Sequence, residues 1–344
     1  MEGRGRMHSG YWPLGRPGVA LIVVLLVIAV IAGIVFEFCY DSRVKFHLAE
    51  NTRDSYQALY CAEGGLAVAT AALEQRGNLW TDEKLAGMLS GAVQVPVGKG
   101  YCTISVAGER GKISVNGLVT RDGKPIRQQV DRMLRLIDVL NSQYEGRNPI
   151  SYGIVPAIID WIDPDDEVTV LSYVQGENSG AESDYYRNLE KPYRCKNRPM
   201  EVLSELMLVK GMTGEVFRGA TGAEQAGPPM GMEQFLTVYG DGRVNINEAS
   251  AIVLQSLSEQ IGRTLAESVV QHRPYRNMEE LGKVPGMTPE ILQVVRGLVT
   301  MQSGEEYYTV TVRGVVGNCV RALRLAVRRD GVQGRVTPLI RWEM

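Results

Sequence analysis

The chain has 344 residues, 44% hydrophobic and 22% charged, a balance ordinary for a folded protein and too apolar for a disordered tail. Its 37 basic side chains stand against 39 acidic ones, a formal charge of −2, so it carries no basic footprint for DNA or RNA. Cys39, Cys61, Cys102, Cys195 and Cys319 show no CxxC spacing and His8, His47 and His272 lie far apart, which excludes zinc ribbons and thioredoxin-like motifs, leaves little for a Ser-His-Asp or His-metal centre, and reads as non-enzymatic.

Residues 1–18 form a short polar leader with Arg4, Arg6 and Arg16, ending Leu14-Gly15-Arg16-Pro17-Gly18. Gly18 to Phe36 is a run of 19 residues without a charge, about 28 Å long at ~1.5 Å per helical residue and enough to cross a bilayer core. A cleaved secretory signal would have a shorter apolar region and a small-x-small site, whereas this run continues into Glu37. Positive charge before the run, and its scarcity just after, place the leader in the cytoplasm and the remainder outside. No proline interrupts from Val19 to Gln75, and Tyr56, Leu59, Tyr60, Leu66, Ala67, Thr70 and Leu73 recur near helical spacing. The pattern predicts one helix over residues 19–75 whose second half packs on a sheet, with Gly64-Gly65 as its bend.

Residues 76–139 form the first part of the head, and between Val93 and Val139 they read as short alternating strands, with Tyr101–Val106 and Lys112–Val119 forming a hairpin around Gly-Glu-Arg-Gly. The same character returns in residues 304–344, at Tyr307–Arg313 and Val320–Val327 around Gly317-Asn318, so two distant strand groups make one sheet. Residues 140–303 are helical in pattern, punctuated by proline and glycine. The expected fold is α/β of the α+β kind: a long N-terminal helix on a small antiparallel sheet, with a large, mostly helical domain inserted between sheet strands. The insert holds a repeat, Glu205–Glu215 aligning with Glu280–Glu290 at seven identical positions of 11. Each copy resembles a helix-hairpin-helix motif, but Thr213 and Thr288 stand where its second glycine belongs and the surroundings are not strongly basic, so the hairpins read as packing units.

Asp160, Asp163, Asp165, Asp166 and Glu167 crowd eight positions, with Glu182 and Asp184 following in a Gly-Ser-Asn loop. Either these carboxylates splay into water or a hard cation accepts their oxygens; the spacing is not an EF-hand, and calcium fits better than zinc. Trp161 and Tyr193 read as core fillers and Asn247 as a helix N-cap. Cys102 and Cys319 lie in or beside strands of one sheet, either bridged in an oxidising compartment or, the slightly preferred reading, two buried thiols; Cys39 is free.

The leader followed by Val19-Ala20-Leu21-Ile22-Val23 resembles the site where prepilin peptidase cuts, after Gly18, leaving Val19 as the first mature residue. Pilin-like proteins mostly carry glutamate at the fifth mature position; here it is Val23, and this absence is a mark of the K-type minor pseudopilin. Asp160-Trp161-Ile162-Asp163-Pro164-Asp165, Gly180-Ala181-Glu182, Pro192-Tyr193 and Asn245-Ile246-Asn247-Glu248-Ala249-Ser250 together resemble general secretion pathway protein K, the K-type minor pseudopilin of type II secretion systems, over nearly the whole mature chain. The resemblance implies a single-pass inner-membrane protein with a periplasmic head, placed at the pseudopilus tip, that helps start pseudopilus assembly and export of folded proteins across the outer membrane. Implied partners are the I- and J-type minor pseudopilins, the major pseudopilin, prepilin peptidase and the inner-membrane assembly platform. It also implies calcium in the head, for which Asp163, Asp165, Asp166, Glu182 and Asp184 are the candidate ligands, Asp160 being left to cap a helix or pair with Arg187. The competing readings are a membrane-anchored, competence-type nucleic-acid-binding protein that uses the hairpins, and a minor pilin of a surface pilus acting in adhesion.

Overall fold

The computed structural model describes residues 17–74, 91–143, 149–219, 230–301, 305–331 and 333–343. Helix α1 (Pro17–Leu73) runs 57 residues without a break, about 85 Å at ~1.5 Å per residue. Residues 19–36 are exposed along their whole length and apolar on every face, as a segment that meets lipid must be. Further along, Ala58, Ala62, Leu66, Ala69 and Leu73 recur three to four residues apart and are buried, forming the stripe that lies on the sheet. Gly65 belongs to this stripe rather than marking an interruption: a Cβ there would come within 2.6 Å of Cys102 Sγ and 2.7 Å of Val312, so glycine lets the helix close onto the sheet.

The sheet is five-stranded and antiparallel, in the order β1 (Val93–Val97), β2 (Gly100–Gly108), β7 (Glu305–Val316), β8 (Cys319–Asp330) and β9 (Val336–Glu343). Ile104, Val106, Val310, Val312, Leu323, Leu325 and Val327 alternate with polar residues and point at α1. Arg329 is buried on that face, where its Nε donates to the Leu73 carbonyl at 2.7 Å and its guanidinium pairs with Glu306. It thereby satisfies an orphan carbonyl at the end of α1 and ties the helix to two strands.

Buried apolar residues drawn from between Ile113 and Val299 form a second core. The expected hairpin between Tyr101–Val106 and Lys112–Val119 does not form: β2 pairs with β1 and β7, and the chain leaves the sheet at Gly108. Two-residue β3 (Ile113–Ser114) instead pairs in parallel with β4 (Leu236–Thr237), and β5 (Val244–Asn245) with β6 (Val299–Thr300). Helix α2 (Arg127–Asn141) packs its apolar face into this core, so the inserted domain draws in residues from about 109 onward rather than from 140.

The repeat is visible as structure. In each copy a glycine with positive φ, Gly211 at 83° and Gly286 at 89°, turns the chain, and Thr213 and Thr288 cap the next helix by accepting from Val216 N at 3.2 Å and Ile291 N at 3.3 Å. Asn247 is not a helix cap; it exchanges hydrogen bonds with the backbone of Tyr275, and Ser250 caps the helix that follows. Cys102 and Cys319 do not meet either. Cys102 faces Gly314 on β7 while Cys319, on β8, faces Val316; two strand spacings, about 10 Å, separate them, beyond disulfide reach. All five cysteines are free.

Candidate metal centre

Helix α3 (Ile154–Ile162) is wholly buried, and so is the one carboxylate within it, Asp160. Asp163 follows one turn later as the C-cap residue, on the same face, with Pro164 preventing the helix from continuing. The chain then loops out and returns through Gly180 and Ala181 to Glu182, which stands before a short helix, α4 (Ser183–Arg187). Gly180 permits this return, because a Cβ there would lie 2.1 Å from Asp160 Oδ2.

Asp160, Asp163 and Glu182 are 0%, 3% and 4% exposed, and each offers an oxygen within 4.8 Å of the others. Asp160 Oδ1 accepts from the Thr169 amide at 2.9 Å. Asp160 Oδ2, Asp163 Oδ1 and both Glu182 oxygens have no hydrogen-bond partner. Among the described residues no lysine, arginine or histidine forms an ion pair with any of the three; Lys210, nearby, pairs with Glu177 at 3.5 Å. Burial, reinforced by the neighbouring carboxylates, raises Asp160 to about 6, Asp163 to about 7 and Glu182 to about 8. Three desolvated carboxylates with orphaned oxygens are costly unless protonated or bound to a cation.

A cation fits. Oxygens at about 2.3–2.6 Å from calcium lie up to about 5 Å apart across the ion, and the three carboxylates satisfy that limit. The donors are oxygen only: Cys195 is close, its Sγ donating to the Asp160 carbonyl at 3.3 Å, but burial and the Glu182 charge push its thiol up to about 12, which withholds the thiolate a soft metal needs. Trp161, next in sequence to Asp160, is buried edge-on to Tyr186 at 5.2 Å and Tyr193 at 6.1 Å, in the core-filling role expected of it.

Of the candidate ligands, Asp163 and Glu182 are in the cluster. Asp165 and Asp166 are exposed at its rim; Asp165 Oδ1 accepts from Glu167 N at 2.9 Å, and Asp166 accepts from Asn197 at 3.3 Å, while both add to the negative field that the buried carboxylates feel. Asp184 points to solvent, 94% exposed, and pairs with Arg187 at 3.0 Å. The residue the sequence reading set aside is Asp160, which neither caps a helix nor meets Arg187. Its three-residue spacing from Asp163 inside an otherwise apolar helix was the available signal. Gly18 and Val19 lie in the first turn of α1, and the leader before Pro17 is outside the described residues.

Residues 111–221 match the family model for type II secretion system protein K, and residues 241–300 match a helix-hairpin-helix motif. The type II secretion system protein K of Pseudomonas aeruginosa is 28% identical over 340 residues, covering 95% of this chain and 92% of that protein. The family model and this relative both point to type II secretion system protein K. The protein K of Pectobacterium carotovorum is a further relative, 24% identical over 88% of this chain and 89% of its own length. The K-type fold is matched as well: a chain in the crystal structure of the GspK–GspI–GspJ complex from enterotoxigenic Escherichia coli aligns with TM-score 0.60 at 17% identity, over 86% of this chain and 99% of that one. These comparisons support a K-type minor pseudopilin, and the chain is an α+β protein with an N-terminal apolar helix long enough to cross a membrane.

Proposed function

We propose that this K-type protein is a structural subunit at the tip of the type II secretion pseudopilus, anchored in the inner membrane with its head in the periplasm. There it would help to initiate pseudopilus assembly and hence export of folded proteins across the outer membrane. The observation that carries the tip assignment is the domain inserted between β2 and β7, whose bulk would collide with a subunit stacked above it while leaving α1 free for subunits below. Val23 adds to it: a glutamate there would need a partner within lipid, and a terminal subunit has no neighbour to supply one. The groove lined by Leu48, Asn51, Tyr56, Leu59, Cys319 and Arg321 runs along α1 where helices of I- and J-type minor pseudopilins, and of the major pseudopilin, would pack.

Calcium in the Asp160–Asp163–Glu182 cluster would offset two of the three negative charges and fix the loop of residues 163–182 to α3, with Asp165 and Asp166 adding negative charge at the rim. The hairpins act as packing units: Glu279 and Glu280 occupy the first turn of one helix and Glu290 that of the next, the ends where a phosphate would have to approach.

Intact mass and N-terminal sequence of the protein from host membranes, with and without active prepilin peptidase, test the pseudopilin class on which the tip position rests. A start at Val19 only when the peptidase is active is expected; an uncleaved leader, or cleavage beyond Phe36, would sink it.

A further inference from the structure

The sheet has a second face, turned away from α1, and its cross-strand rows can be read from the register. Tyr101, Val315 and Val320 form one row. Thr103, Arg313 and Ala322 form the next, and Ser105, Thr311, Arg324 and Trp342 the third. Successive rows are about 7 Å apart, and Arg313 and Arg324 are diagonal neighbours about 7–8 Å apart on adjacent strands. Beyond these rows the face is closed by the inserted domain, where Tyr239 stacks on Tyr307 at 5.1 Å and 8°.

Both arginines are exposed, and among the described residues neither makes a side-chain hydrogen bond or an ion pair. The three rows contain no carboxylate and no lysine. Arg328, further up β8, is already paired with Glu305 at 3.6 Å. Two like charges on a diagonal repel, so in the isolated subunit their placement weakens the sheet. Alongside them Val320 is 57% exposed and Tyr101 38% exposed, an apolar row at the sheet end left open among the described residues. Arginine with tyrosine and tryptophan, without lysine or acid, is the composition of a protein interface rather than of ordinary surface.

We infer that this outer face docks a folded partner protein whose surface presents carboxylates, received by Arg313 and Arg324, beside an apolar patch that covers Tyr101, Val315 and Val320. A lipid headgroup does not reach it. Arg321 at this end of the sheet bonds Ser55, about 28 Å of helix beyond Phe36 at ~1.5 Å per residue, several times the ~8 Å screening length at physiological salt. Nucleic acid fits poorly, since two guanidinium groups give a small phosphate footprint and the apolar row would lie uncovered. The guanidinium fork matches a carboxylate with two parallel hydrogen bonds, which lysine cannot reproduce.

The test is a benzophenone amino acid in place of Thr311 in the full chain, in native host membranes, with the same substitution at Lys191 as a surface control. The expected result is one protein adduct at position 311 whose cross-linked peptide contains Asp or Glu. It should fall at least about tenfold in R313E/R324E and in R313Q/R324Q, fall less in R313K/R324K, and return in R313E/R324E when the mapped carboxylates are changed to lysine. All variants should keep the wild-type circular dichroism and unfolding transition, as substitutions at exposed positions do. An adduct yield equal to that at Lys191, one indifferent to the charge changes, or an adduct to lipid, to nucleic acid or to a second copy of this chain would overturn the inference.

Discussion

If the three buried carboxylates form a cation site, the metal-free protein should become less stable as the pH rises, the reverse of ordinary acid sensitivity. Asp160, Asp163 and Glu182 are raised from 3.8, 3.8 and 4.5 to about 6, 7 and 8. The folded state therefore holds protons that the unfolded chain has already released. The contribution is complete below the unfolded values and is lost as pH climbs through the folded ones. Over pH 5.5 to 8 Glu182 alone, whose loss falls mostly in that window, contributes about two pH units at about 1.4 kcal/mol each, or about 3 kcal/mol. At about 2–4 °C per kcal/mol for a domain of this size, the metal-free melting temperature should fall by at least about 6 °C between pH 5.5 and 8. Glu205 and Asp241, both held below their ordinary values, act in the opposite sense but only near and below pH 4.5, outside that window. Thermal unfolding of the full chain in detergent, in EGTA and in millimolar calcium, reads the effect: calcium should abolish the fall. Asp160→Asn should raise metal-free stability at pH 8 by up to about 3 kcal/mol while losing the calcium response. A metal-free melting temperature that stays level or rises from pH 5.5 to 8 would refute the reasoning.

Other outcomes follow from separate parts of the fold. Asp184→Asn should leave the calcium-induced rise in melting temperature unchanged, because that carboxylate is exposed and paired with Arg187; calorimetry beside Asp163→Asn, which should lose the rise, makes the comparison. Arg329→Met should destabilise the sheet head by about 3–5 kcal/mol in denaturant unfolding, since it leaves Glu306 without its buried partner and Leu73 without a donor. Gly65→Ala should cost about 1–3 kcal/mol in the same assay, as its methyl meets Cys102 and Val312 at under 3 Å. Thr288→Ala should cost about 1 kcal/mol by removing the cap on Ile291 N.

Features encoded locally were legible in the sequence. The uncharged run of Gly18 to Phe36 could only be an apolar helix, and the Glu205 and Glu280 repeats announced two hairpins whose Gly211 and Gly286 turns the structure displays. Long-range pairing was not legible. Nothing in Ile113-Ser114 or Leu236-Thr237 says that two residues of each will pair in parallel across more than 120 positions, so Lys112–Val119 looked like the second arm of a hairpin. The metal centre was half legible for a related reason. A run of acids marks the neighbourhood, but which of them face inward depends on helix phase, and the phase of α3 selects Asp160 and Asp163 while leaving Asp165 and Asp166 beyond the helix end. Asn247 misled because an Asn before a helix reads as a cap, whereas Tyr275 claims both halves of its amide.

The way the inserted domain joins the sheet bears on how the protein can fold. Glu109 and Thr309, 200 residues apart, are hydrogen-bonded at 2.7 Å, and the chain leaves β2 and re-enters β7 at adjoining positions, Gly108 opposite Tyr308. The insert is thus an enlarged hairpin loop. Closing so long a loop as an unfolded coil costs about 3 kcal/mol more than closing one of ten residues. A chain emerging from the membrane in order can avoid that cost by folding the inserted domain first, which delivers Glu109 and Tyr307 side by side and lets β7 find β2 as though the intervening residues were a tight turn.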